Sequence, residues 1–147
     1  MTKLFTIGYQ ETTIPAFLGA LELAGVRLLV DVRAVAASRR PGFSKRPLAA
    51  ELEAAGIRYL HLQGLGTPAE GRQAARAGRV EEMRRIYEAH LDTERARQDM
   101  ATLEEIASTG TPFCLLCFER HHEHCHRQIL CERLSARLGL EAVHLRP

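Results

Sequence analysis

The sequence predicts a single α/β domain over residues 1–147, three layers deep, with a mostly parallel sheet of about five strands flanked by helices. Three observations carry this. Short apolar runs alternate with segments whose apolar residues recur at helical spacing, the pattern of strands joined by helical crossovers. The run VRLLVDV at 26–32 is almost continuously apolar, as in a strand buried on both faces. The 147 residues suffice for one core, and no internal repeat divides them.

Each element has its own signal. KLFTIGY at 3–9 reads as a strand ending at Gly8. Thr12 or Thr13 then caps a helix with Pro15 in its first turn, Ile14, Phe17, Leu18 and Leu21 on one face, and Gly25 at its end. Residues 26–32 form the second strand. A polar loop, RAVAASRRPGFSKR, follows, with Pro41-Gly42 as a turn. Pro47 starts a helix that Gly56 closes, and IRYLHL at 57–62 is a third strand. GLGTPAEGRQAARAG is either a loop or a short helix. Two helices follow, marked by Val80, Met83, Ile86 and Tyr87, then by Met100, Leu103, Ile106 and Ala107. PFCLLCF at 112–118 is the fourth strand. A helix runs from about His124 to Leu138, stopped by Gly139, and EAVHL at 141–145 is the last strand.

Composition sets limits on function. A hydrophobic share of 46% and a charged share of 26% are ordinary for a soluble globular chain. No apolar run approaches ~20 residues, so no membrane span is expected. Met1-Thr2-Lys3 leads into the first strand without a signal-peptide pattern, which makes a cytoplasmic location the expectation. The formal net charge of +2 is too small to argue for a polyanion partner by itself. Arg33, Arg39, Arg40, Lys45 and Arg46 nevertheless form a local basic stretch, either a solvated loop or an anion-binding surface.

In an open parallel sheet, ligands bind beyond the carboxyl ends of the strands. Gly8-Tyr9, Asp31 with Arg33, His61 before Gly64 and Gly66, and Cys117 with Glu119 all stand at such ends. They would converge on one edge, with CFERHHEHCHR at 117–127 as the centre.

The pattern TIGY, LLVDVR…SRRPGF, an LG turn, LLCFE…CHR and a closing VHL resembles the uncharacterised family called domain of unknown function 488. The resemblance spans nearly the whole chain and implies functional positions at Asp31, Arg33, Ser38, Arg39, Cys117, Glu119, Cys125, His126 and Arg127. Ala36 or Ala37 stands where the family pattern has proline, and Thr67 where a second glycine is common. The family name carries no reaction.

Three chemistries compete for the site. Zinc is suggested by Cys114 and Cys117, a C-x-x-C pair, but residues three apart in a strand face opposite ways. Cys114 therefore reads as core, and so does Cys131, which shares the helix face of Leu134 and Leu138. Cys117, Cys125 and the histidines at 121, 122, 124 and 126 remain as a candidate set without a familiar ligand spacing, so no metal cofactor is expected, with zinc as the alternative. Thiol catalysis by Cys117 would use loop amides and a helix N-terminus, as in rhodanese-like proteins and cysteine phosphatases, but Glu123 stands where the phosphatase C-x5-R pattern needs arginine. An anion clamp would use Arg33, Arg39, His126 and Arg127, with Asp31 or Glu119 as a general base or as an ion-pair partner.

The leading reading is an enzyme acting on a phosphate-containing small molecule, nucleotide or nucleic acid. A non-catalytic nucleic-acid-binding or regulatory module using residues 33–46, and a metal-binding or structural protein, are the alternatives. Tyr9, Phe43 and Tyr59 are available to stack on a base but read first as core aromatics.

Overall fold

The computed structural model describes residues 3–147, so the reading of Met1 and Thr2 lies outside the described residues. Five strands form one sheet: β1 (Lys3–Gly8), β2 (Leu28–Asp31), β3 (Arg58–His61), β4 (Phe113–Cys117) and β5 (Glu141–Leu145). Their order is β3-β2-β4-β1-β5 and every pairing is parallel. The carboxyl ends of the strands therefore share one edge, with Gly8 registered opposite Cys117 and Asp31 opposite Leu116.

Helices α1 (Ile14–Ala24) and α2 (Lys45–Ala54) cover one face. Phe17, Leu21, Leu48 and Leu52 pack there against Ile7, Leu29, Cys114 and Leu116. Helices α3 (Ala69–Arg76), α4 (Val80–His90), α5 (Glu94–Ser108) and α6 (His126–Leu138) cover the other. Ala74, Tyr87, Leu103, Leu130 and Cys131 meet Leu4, Val30 and Leu115 on that side. The chain is thus a three-layer α/β domain. Cys114 and Cys131 lie in opposite cores, as strand alternation and helix phase require. No helix among the described residues is long and apolar enough to cross a membrane.

The ends of α1 follow the predicted chemistry. Thr13 Oγ1 accepts from the Ala16 amide, and Gly25 closes the helix at φ 75°. Elsewhere local chemistry moves boundaries. Helix α2 begins at Lys45, not Pro47; Pro47 sits in the first turn, where its missing N–H costs no helical bond. Helix α6 begins at His126 rather than near His124, because His122–His124 form a separate 3-10 turn with Cys125 as the cap residue. The Gly-rich stretch that allowed two readings contains a 3-10 turn at Gln63–Leu65 and then α3.

Two glycines let loops lie against the strand ends. A β-carbon on Gly8 would collide with the Glu119 carbonyl oxygen, and one on Gly66 with the backbone of Ala34. The first contact seats the loop after β4; the second seats the loop after β2.

Candidate functional site

A cleft of about 650 Å³ opens at the carboxyl edge of the sheet. Cys117, the last residue of β4, and Cys125 and His126, at the start of α6, are buried residues in its floor. The loop after β2 supplies one wall with Arg33, Ser38, Arg39 and Arg40. Helix α3 supplies another with Arg72 and Arg76, four residues apart and so on one helical face. Glu119, His124, Tyr9 and Phe118 complete the mouth.

The floor is a cysteine pair beside an imidazole. The sulfur atoms of Cys117 and Cys125 touch, close enough to be joined as a disulfide, while the Cα atoms stand 7.5 Å apart. His126 Nδ1 lies 3.5 Å from Cys125 Sγ, and its Nε2 lies 2.7 Å from the Val32 carbonyl oxygen. That carbonyl accepts only a proton-bearing Nε2, so the neutral ring turns the bare lone pair of Nδ1 toward the sulfurs. Burial pushes the His126 pKa down to about 4 and favours that neutral form.

Beneath the wall runs a buried ion pair. Asp31 is fully buried and takes the fork of Arg33 through Nε at 2.9 Å and Nη2 at 2.7 Å. It also accepts from the Arg33 amide and from the Tyr59 hydroxyl. Arg33 Nη1 donates to the Phe43 carbonyl at 2.7 Å, tying down the far end of the same loop. Burial works against the Arg33 charge, but Asp31 outweighs it and holds the guanidinium protonated above its ordinary range. Burial and then the Asp31 charge raise the Tyr59 hydroxyl pKa. Arg40 donates to the Thr12 carbonyl, and Arg72 to the Thr67 carbonyl. Ser38 braces the loop: its amide donates to Ser44 Oγ at 3.0 Å and its hydroxyl accepts from the Arg40 amide at 3.1 Å.

Among the described residues, the guanidinium groups of Arg39 and Arg76 make no hydrogen bond and no ion pair, and both side chains are exposed. Glu119 is half-buried at the mouth. Its desolvation raises the carboxyl pKa, against the opposing charges of His124, Arg127 and Arg76.

Of the nine expected site residues, seven line the cleft: Arg33, Ser38, Arg39, Cys117, Glu119, Cys125 and His126. Asp31 lies below it as the partner of Arg33. Arg127 lies behind it, 1% exposed, donating to the Glu119 carbonyl at 2.9 Å and the Arg120 carbonyl at 3.2 Å. Tyr9 and Phe43 are buried and stacked at 4.7 Å, whereas Phe118 is 43% exposed. Lys45 and Arg46 belong to the first turn of α2 and do not line the cleft. His124 and Phe118 belong to the 117–127 segment the sequence singled out, but sequence reasoning missed the arginines of α3, Arg72 and Arg76. The i,i+4 arginine spacing was a readable signal for these two, hidden by the open reading of that segment as loop or helix.

A second histidine cluster stands behind β1. His144 Nδ1 lies 2.6 Å from Thr6 Oγ1, and its ring stacks on His122 at 3.4 Å with an interplanar angle of 2°. Desolvation, and then the His122 and Arg127 charges, push the His144 pKa down to about 4. The unfolded chain binds this proton near pH 6.5. It therefore holds more protons than the folded chain between about pH 6.5 and 4, and stability falls as pH drops through that window. Thermal unfolding across it should show a shallower decline for His144→Asn than for the parent chain; parallel curves would remove His144 as the cause.

A model of the family described as domain of unknown function DUF488 matches residues 13–134. No curated protein and no solved structure matches the chain.

Proposed function

We propose for this chain, which belongs to the DUF488 family, that the cleft binds a phosphate-bearing small molecule, nucleotide or nucleic-acid end and that the protein acts on it as an enzyme. One observation carries the reading: five arginines from two segments line a cleft whose only carboxylate, among the described residues, is Glu119. Three of them already donate to protein groups and are held in place: Arg33, Arg40 and Arg72. Arg39 and Arg76 keep their forks for a ligand, and a guanidinium fork matches phosphate oxygens in pairs. Phe118 offers an exposed ring at the mouth for an attached base. Glu119 holds its proton more tightly than an ordinary carboxyl and is placed to exchange it with a bound group.

Calorimetric titration with inorganic phosphate and with a mononucleotide tests the binding step. Arg39→Ala and Arg76→Ala should each weaken binding by about tenfold or more, the effect of one charge-assisted hydrogen bond. Glu119→Gln should bind phosphate at least as tightly, because it removes a like charge. Unchanged affinity in both arginine variants would overturn the reading. Steeply salt-dependent binding of an oligonucleotide that is lost with Lys45 and Arg46 but not with Arg76 would favour the non-catalytic module instead.

A further inference from the structure

We propose that Cys117, Cys125 and His126 form a zinc site at the floor of the cleft, with its fourth coordination position open toward the arginines. Zinc was only an alternative in the sequence, where four histidines competed and the spacing matched no familiar ligand pattern. The fold resolves that competition. One ligand atom from each of Cys117, Cys125 and His126 lies within 4.8 Å of the other two, and all three residues are buried. His122 is instead engaged with Gln128 and stacked on His144, and His121 is exposed. His124 reaches the mouth but is not part of the three-donor cluster.

Three features suit a metal. Two thiolates and one imidazole are the donor types zinc takes, and three protein ligands with a free fourth position are the form of its catalytic sites. His126 is oriented as metal-bound histidines are: its second nitrogen is fixed by a backbone carbonyl, 2.7 Å away at Val32, and the other faces the sulfurs. The backbone also favours a shared ion over a direct sulfur–sulfur bond. The Cα separation of 7.5 Å exceeds the range of about 4.4–6.8 Å that disulfides take. Cysteines at that separation, converging from a strand end and a helix cap, would hold an ion between them once the sulfur atoms part from their present contact.

The open position has a consequence for ligand choice. Cys117, Cys125 and His126 line the same cleft as Arg39 and Arg76. An oxygen of a bound anion would reach the metal while its other oxygens meet the guanidinium groups. The zinc site does not depend on that phosphate reading, and the two are separable by experiment.

The full chain, reduced anaerobically, stripped with a chelator and titrated with Co(II), should take up about one equivalent. It should show a near-ultraviolet thiolate-to-cobalt band with the visible bands of a tetrahedral ion, and Zn(II) should displace both. Cys117→Ser and Cys125→Ser should lose the thiolate band, and His126→Gln should weaken binding, with circular dichroism reporting the fold of each. Arg39→Ala should keep the cobalt spectrum intact while losing phosphate affinity. A reduced parent chain that binds no cobalt, or binds it without a thiolate band, overturns the site whatever the variants do. Mass spectrometry that finds the pair still joined as a disulfide under reducing conditions overturns it equally.

Discussion

Asp31→Ala should destabilise the fold by about 3–5 kcal/mol, the cost of orphaning one partner of a buried ion pair. Asp31 is fully exposed to the loss, since neither it nor Arg33 has solvent to turn to: their side chains are 0% and 5% accessible. The substitution leaves the guanidinium charged and without its carboxylate, and the Tyr59 hydroxyl without its acceptor. Urea denaturation followed by circular dichroism reads the loss. Combining Asp31→Ala with Arg33→Met should recover part of it, because the second change removes the orphaned charge. A single-variant loss below about 1 kcal/mol, the level of an exposed pair, would show that the carboxylate is not needed for stability. The effect should also reach the cleft. Arg33 ties the start of its loop to the Phe43 carbonyl, and that loop carries Ser38 and Arg39. Arg33 lines the cleft, but most of its donors are already engaged with Asp31, Tyr9 and Phe43.

How much of this was legible in the sequence depends on whether a signal is local. Parallel strands and the edge where they end were readable, because VRLLVDV and FCLLC carry burial on both faces in their own residues. Arg33, Cys117, Glu119, Cys125 and His126 were readable for the same reason, since each stands at or near a strand end or at the start of α6, whereas Ser38 and Arg39, in mid-loop, came from the family resemblance and the basic stretch. What a residue does there is only partly local. Asp31 and Arg33 are two residues apart and their pairing is local, but the further donation from Arg33 to the Phe43 carbonyl is set by how the intervening loop closes. Arg72 and Arg76 join the site only because α3 folds back over the strand ends, and the Gly-rich sequence before it gave no fixed direction. The choice of His126 among four histidines depends on Val32, distant in sequence and adjacent in space. Spacing along the chain alone does not encode that contact.

Arg127→Ala should cost about 3–5 kcal/mol, and Arg127→Met less. The stem of this fully buried side chain packs in the core, and its removal acts like other large-to-small core changes. Its Nη atoms also hold the Glu119 and Arg120 carbonyls and Thr6 Oγ1, which would lose their donors. Methionine keeps most of the volume and removes a charge that burial penalises: the Arg127 pKa is pushed down to about 10, and its Nε has no hydrogen-bond partner among the described residues. The two variants therefore separate packing from charge. Amide hydrogen exchange should report faster opening of residues 118–121 in both, since the guanidinium pins that loop while Gly8 gives it room. Phosphate affinity supplies the contrast with a direct clamp. If Arg127 gripped the ligand, Arg127→Met would lose affinity as Arg76→Ala does while remaining nearly as stable as the parent. Placed behind the cleft, it should instead lose stability first, and lose phosphate affinity only as far as the Glu119 loop shifts.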